Sequence, residues 1–198
     1  MDYGLDLAQN FERDLLRGEK VAWAGMPDRR FRFTGGDIFL VPFSILWGGF
    51  ALFWAAGVLG LFDGHPELNP GALFGIPFVL IGQYFIWGRF IYKRYKNRRT
   101  FYGLTNQRVL ILATLRSRRL QALFLNQLPV INKVVQRGGV GTLEFGFSPS
   151  WSAAYANSGM ELFAGRSAPL APAFYDLPDV DSVYQLVMRL KTDLGQIA

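Results

Sequence analysis

Residues Ile38–Phe62, IFLVPFSILWGGFALFWAAGVLGLF, carry no charge, and their reading decides how the rest of the chain is understood. At about 1.5 Å of rise per residue, a helix of this length crosses a hydrocarbon layer of about 30 Å. A second uncharged run, Pro70–Gly88 (PGALFGIPFVLIGQYFIWG), also meets the requirement of about twenty residues. Neither run shows the polar face of a helix packed against a soluble core. The pattern predicts two transmembrane helices, over about 38–62 and 70–88. Between them lies Asp63-Gly64-His65-Pro66-Glu67-Leu68-Asn69, a short turn with two acids and no Lys or Arg.

Outside these runs the charge inverts. Arg29, Arg30 and Arg32 precede the first; Arg89, Lys93, Arg94, Lys96, Arg98 and Arg99 follow the second. Positive residues flanking spans stay on the cytoplasmic side. The expectation is a helical hairpin in the cytoplasmic (inner) membrane, multi-pass, with N- and C-termini cytoplasmic. Met1–Lys20 is mixed in charge and lacks an apolar core segment, so the first span is expected to act as an uncleaved anchor. Of the 198 residues 51% are hydrophobic and only 18% charged, against about a quarter charged in soluble domains.

Several residues suit helices in lipid. Trp47, Trp54 and Trp87 supply amphipathic rings, with Trp87 near the basic end. Gly71 and Gly75, Ala51 and Ala55, and Ala56 and Gly60 have the small-xxx-small spacing of close helix contacts or dimers, though common usage of small residues in spans explains them equally. Pro42 and Pro77 are tolerated kink positions. Gln83 is expected to hydrogen-bond between helices, and no buried acid or base is expected, so nothing resembles a proton relay.

Beyond Thr100 the chain changes to short runs rich in β-branched residues, Leu and Phe. Arg99–Leu104 and Gln107–Thr114 read as strands joined at Thr105-Asn106. Val130–Gln136 and Thr142–Phe147 flank Arg137-Gly138-Gly139-Val140-Gly141, a hairpin connection, and Leu143, Phe145 and Phe147 alternate with smaller or polar residues. Leu120–Leu125 and Met160–Ala164 are weaker strand candidates. Asp179 is placed to cap a helix over about 179–194, with Val180, Val183, Tyr184, Val187, Leu190 and Leu194 on one face. Arg189 and Lys191 are expected in its last turn and Gly195 at its end. Three regions result: a cytoplasmic N-terminal segment (1–36), the transmembrane hairpin (37–99), and a cytoplasmic, mostly antiparallel β domain closed by a C-terminal α-helix (100–198).

Tyr102-Gly103-Leu104-Thr105-Asn106-Gln107-Arg108-Val109-Leu110-Ile111-Leu112, directly after a basic membrane exit, resembles the bacterial pleckstrin-homology-like (PH-like) membrane protein family, with its Y-x-L-T-x-x-R-hydrophobic signature. Gly18-Glu19-Lys20-Val21-Ala22-Trp23-Ala24-Gly25-Met26-Pro27, Gly139–Phe145 and Leu177–Tyr184 are similar to further segments of that family. The resemblance implies two transmembrane helices before a PH-like domain, an open barrel of about seven strands capped by the helix. Ser148–Pro172, rich in Ser, Ala and Pro, fits less well and is expected to be an elongated loop.

The groups that carry catalysis are sparse. With no cysteine and one histidine, disulfides, thiolate zinc sites and cysteine nucleophiles are excluded. His65 with Asp63 and Glu67 lacks enforced metal geometry. Gly138, Gly139 and Gly141 do not continue into a phosphate cradle, and Gly146-Phe147-Ser148-Pro149-Ser150 misses a nucleophile elbow by its last residue. Of Asp176, Asp179 and Asp181, two are expected to serve the start of the helix. No catalytic, cofactor or metal residues are expected, and no enzyme activity.

The basic residues remain. Net charge is +6, and nine of the 21 Lys and Arg residues are those flanking the spans, where topology and anionic lipid account for them without nucleic acid. Arg116, Arg118 and Arg119 lie between two strand candidates, in a loop that either touches phosphate headgroups or is a solvated turn. The function expected is that of a non-enzymatic integral membrane protein presenting a cytoplasmic PH-like interaction module at the inner leaflet. Its expected partners are the lipid bilayer and a protein of unassigned identity, with a homo-oligomer left open. The alternative is an accessory subunit of a membrane enzyme or transport complex, in which lone carboxylates such as Glu144 or Glu161 would matter.

Overall fold

Arg108–Thr114, RVLILAT, is apolar at consecutive positions because both faces of that strand are covered. Val109 points into one cluster of buried residues, and Leu110 and Leu112 point into another. This is the two-residue period of a strand sandwiched on both sides. The computed structural model describes residues 3–30, 33–62, 64, 70–136, 138–161 and 170–197. They divide into two units. One draws on Met1–Arg30, Arg94–Ser150 and Pro169–Ala198, the other on Phe31–Lys93 and Trp151–Ala168.

The first unit opens with α1 (Tyr3–Ala8), continued by a 3-10 segment at Gln9–Asp14, and with β1 (Val21–Gly25). Strands β2 (Thr100–Thr105), β3 (Arg108–Thr114) and β4 (Arg118–Phe124) complete an antiparallel sheet of order β1-β2-β3-β4. A second antiparallel sheet holds β5 (Asn132–Val135), β6 (Gly141–Glu144) and β7 (Ala173–Leu177) in that order. The main core gathers Tyr102 and Leu104 from β2, Leu143 from β6, Phe174 and Leu177 from β7, and Val180, Val183 and Val187 of the C-terminal helix. Phe11 of the 3-10 segment, fully buried, covers the opposite face of the first sheet with Leu110 and Leu112.

The glycine-rich connection is a β-hairpin turn as expected. Gly138 and Gly139 take φ of 82° and 75°, a region that L side chains reach only with strain. Gly141 has a different reason: a Cβ there would strike the Val134 carbonyl oxygen and lie 2.7 Å from Val180. Strand β6 stops at Glu144, so Leu143 and Phe145 are buried but Phe147 is 74% exposed, against the alternation expected through Phe147. The C-terminal helix runs Val180–Ile197, through Gly195 rather than ending there. Gly195 does not take a positive φ, so no left-handed stop forms. Arg189 and Lys191 consequently precede the last turn, and Lys191 donates to the Leu128 carbonyl at 2.7 Å.

Other expectations need correction. Met160 lies in a turn and Glu161 is helical, so no strand begins there, and 162–164 are outside the described residues. Ser148–Pro172 is not simply an elongated loop, since Ser150–Tyr155 forms a helix, α5. Strands β1 and β7 were not anticipated.

The second unit contains α2 (Asp37–Val58) and α3 (Pro70–Gln83). A π-turn at Tyr84–Gly88 comes next, then α4 (Arg89–Asn97), whose last residues belong to the first unit. Two stretches, Asp37–Val58 and Leu73–Asn97, are long and apolar enough to cross a membrane. The first ends earlier than Phe62, and the second continues past Gly88 to Asn97. The turn between them lies outside the described residues apart from Gly64. Gly48 packs on Gly82, a Cβ at Gly82 falling 3.1 Å from the Gly48 Cα, while Gly75 packs on Trp54. The middle of α2 thus meets the end of α3, and the later part of α2 meets the beginning of α3. Gln83 accepts from Trp87 Nε1 at 2.8 Å within its own helix, not between helices. The side chain four residues on lies on the same face, so it is the nearer donor.

Candidate functional site

The Tyr-x-Leu-Thr-x-x-Arg stretch folds into a structural clip. Tyr102 stacks on Phe174 at 4.5 Å; its hydroxyl accepts from the Tyr175 amide at 2.9 Å and donates to the Tyr175 carbonyl at 3.2 Å. Gly103 leaves room for Phe11, whose ring would lie 3.1 Å from any Cβ there. Thr105 Oγ1 donates to Glu19 Oε1 at 2.6 Å and accepts from the Arg108 amide at 2.8 Å. Arg108 holds the same carboxylate with Nε at 2.9 Å and Nη2 at 2.5 Å, and Nη2 also reaches the Asp14 carbonyl at 2.9 Å. Burial by itself raises the Glu19 pKa, but the bonds from Arg108, the Leu16 amide and Thr105 outweigh it and pull it down to about 2. This network ties the N-terminal segment to the first sheet. It commits the Thr105 hydroxyl and the Nε and Nη2 of Arg108 to partners within the chain.

Beside it, Trp23 of β1 lies over Gly25, where a Cβ would strike the indole, and 6.0 Å from Phe174. Trp23, Met26, Pro27, Leu7, Pro178 and Arg29 line a cleft of about 360 Å³. The size falls in the range of small-ligand sites. Its lining offers apolar contact and one guanidinium, with no nucleophile or general base.

Helix α4 divides its polar side chains between faces. Arg89, Lys93 and Asn97, four residues apart, are buried; Arg94, Tyr95 and, just past the helix, Arg98 and Arg99 are exposed. Within the second unit, Arg89 donates through Nη1 to the Asp37 carboxylate, through Nε to the Phe85 carbonyl at 2.9 Å and toward the Ser158 carbonyl at 3.4 Å. Tyr84 donates to the Gly159 carbonyl at 2.5 Å, and Gly159, with φ 86°, sits where a Cβ would strike the Arg89 carbonyl. The π-turn inserts one residue into the helical register and so rotates the residues after it by about 100°. Within the first unit, Asn97 donates to the buried Asp176 at 3.1 Å.

The sequence candidates accordingly separate. Arg89 and Lys93 are buried, and Asp37 and Arg89, the charges that flank the two uncharged runs, form a buried acid–base pair. Arg118 and Arg119 begin β4 instead of lying in a loop, and Arg118 pairs with Asp14, holding that carboxyl below its usual range. Arg116 is exposed in the preceding turn. Lys96 approaches the Tyr175 ring at 6.0 Å, and Arg99 stacks over Tyr95 at 4.4 Å. Arg29 and Arg30 are exposed; Arg32 lies outside the described residues, as do Asp63, His65 and Glu67. Among the described residues no group of three or more His, Asp or Glu gathers into a metal site. Asp179 accepts from the Ser182 amide at 3.4 Å and Asp181 pairs with Lys133 at 2.6 Å, so two of the three C-terminal acids do lie at the helix start.

No family model, curated protein or solved structure matches this chain.

Three partners escaped the sequence reading: Asp37, Glu19 and Asp14. Asp37 carried a signal, being the last charge before the first apolar run as Arg89 is the first after the second. Glu19 and Asp14 carried none, since their arginines lie 89 and 104 residues away.

Proposed function

We propose that this chain is an integral membrane protein that holds a PH-like β unit at the cytoplasmic face of the inner membrane, as a binding module without catalytic activity. One observation carries the reading. In each of the two long apolar stretches only 17% of the most apolar window is buried, and Ile38, Phe39, Leu46, Phe50, Phe53 and Leu80 are each at least 60% exposed. A core helix of a soluble protein is mostly covered, and a soluble surface does not sustain so large a continuous apolar patch. Lipid is the solvent that suits it.

The orientation is supported by the sequence from Leu68 to Leu143, which holds no acid and twelve of the 21 Lys and Arg residues. The binding role is supported by the Trp23 cleft, and the PH-like assignment by the seven strands among the described residues, in two antiparallel sheets with a C-terminal helix on their core. The test is fractionation of the full chain with a reporter after Ala198. The reading expects sedimentation with membranes, resistance to carbonate and high salt, and a reporter shielded from the outside. Full-length protein in the supernatant without detergent would sink the anchor, and an external reporter would sink the orientation.

A further inference from the structure

We propose that Arg94, Arg98 and Arg99 form a contact site for the phosphates of anionic phospholipid headgroups, framed by Tyr95. The inference rests on the membrane reading and deepens it. The Arg98 amide bonds the Arg94 carbonyl at 3.2 Å, which sets Arg98 one helical turn after Arg94, and Arg99 reaches back over Tyr95. All four are exposed, Tyr95 by 44%. The Arg99 guanidinium carbon lies over the Tyr95 ring, 4.4 Å from its centroid, which holds the side chain while its N–H groups can donate to a phosphate.

The backbone beneath them is held. The Arg99 carbonyl accepts from the Thr114 amide at 2.8 Å and from its hydroxyl at 3.2 Å, and Thr100 Oγ1 bonds the Lys96 carbonyl at 2.9 Å. Charge complementarity selects the occupant. Arg89, Arg108, Arg118 and Lys133 each have a carboxylate; among the described residues Arg94, Arg98 and Arg99 have none. Three like charges within a turn and a half repel one another unless several anions face them. Arg94 to Arg98 rises about 6 Å, comparable with one headgroup layer, and begins within the second membrane-length stretch, Leu73–Asn97. A bilayer presents phosphates at that depth.

The test uses the full chain in a neutral maltoside detergent, titrated with phosphatidylglycerol or phosphatidylcholine and read by native mass spectrometry. The site predicts a phosphatidylglycerol adduct at concentrations on the order of tenfold lower than phosphatidylcholine. The combined R94Q, R98Q and R99Q variant should lose that preference, and the pair R116Q and R119Q should keep it. Equal affinity for the two lipids in the wild type, survival of the preference in the triple variant, or equal loss in the control pair would overturn the proposal. So would displacement of the lipid by a short single-stranded RNA at lower concentration. Should the triple variant aggregate, the three single variants decide, each expected to lose part of the preference; three unchanged singles would overturn it. Flotation of the wild type with phosphatidylcholine vesicles reads the anchor separately, so a protein that floats but shows no preference loses only this site.

Discussion

Leu143, Phe174 and Leu177 of the β unit are completely buried, whereas Leu46, Phe50 and Leu80 of the apolar helices are 75%, 65% and 63% exposed. The side chains are of the same kind, and their surroundings are opposite. In the β unit, apolar area leaves water on folding and contributes the main stabilisation. In the helices the backbone satisfies itself and the side chains are left outward, so that unit is stabilised internally by close packing at a few small residues. Like substitutions should therefore have very unequal consequences in the two regions.

The largest contrast comes from truncation. Phe174→Ala should destabilise the β unit by about 3–5 kcal/mol, because the ring touches Trp23, Tyr102 and Phe145 and leaves a cavity. Phe50→Ala should change stability by less than about 0.5 kcal/mol. Urea unfolding of the full chain in neutral detergent measures both. Equal losses would mean that the helices are covered by protein.

Charge insertion reverses the order. Leu46→Arg places a guanidinium in the middle of α2 and should disfavour membrane insertion by about 2.5–3.5 kcal/mol, read as the inserted fraction in a translocation assay. Gln121→Arg, on an exposed position of β4, should leave both insertion and stability unchanged.

Much of this contrast was legible in the sequence, and the reasons for the rest are physical. Uncharged runs reveal the two apolar helices because composition alone is enough. Strands β2, β3 and β6 carry apolar runs or alternation long enough to show. Strand β1 spans five residues, and its identity comes from pairing with β2 some eighty residues later, which no local pattern encodes. Strand β7 begins directly after Pro172 and includes Asp176, a buried acid with φ 51°, so it reads as a loop. The division of cations on α4 is equally hidden. Arg89 and Arg94 look alike as charges in the sequence; the π-turn and the helical period put one inside with Asp37 and the other outside.

A smaller effect tests the packing of the helices. Gly82→Val should cost about 1–3 kcal/mol, since the added carbons meet the Gly48 backbone at 3.1 Å, and backbone cannot move aside as a side chain does. Gly49→Ala, with open space around it, should be neutral or slightly stabilising. Thermal melting in detergent distinguishes them, and similar melting for both variants would mean that α2 and α3 are not in contact at Gly48.

The smallest effect concerns pH and belongs to the β unit alone. Glu19 titrates at about 2 in the folded chain against an ordinary 4.5, so the unfolded chain binds its proton first as pH falls. The stabilisation is fully present above about 4.5 and disappears as pH drops toward about 2. Its size, after allowance for solvent screening, is on the order of 1 kcal/mol. Asp14, held low chiefly by its hydrogen bond with Arg118, acts in the same direction, so the useful quantity is the difference between wild type and Glu19→Gln. That difference should be constant from about pH 7 to 5 and shrink between about pH 4.5 and 2.5, measured by urea midpoints. A difference that stays constant down to about pH 2.5 would mean that the carboxylate is not held by Arg108, and that the N-terminal segment is not clipped to the sheet.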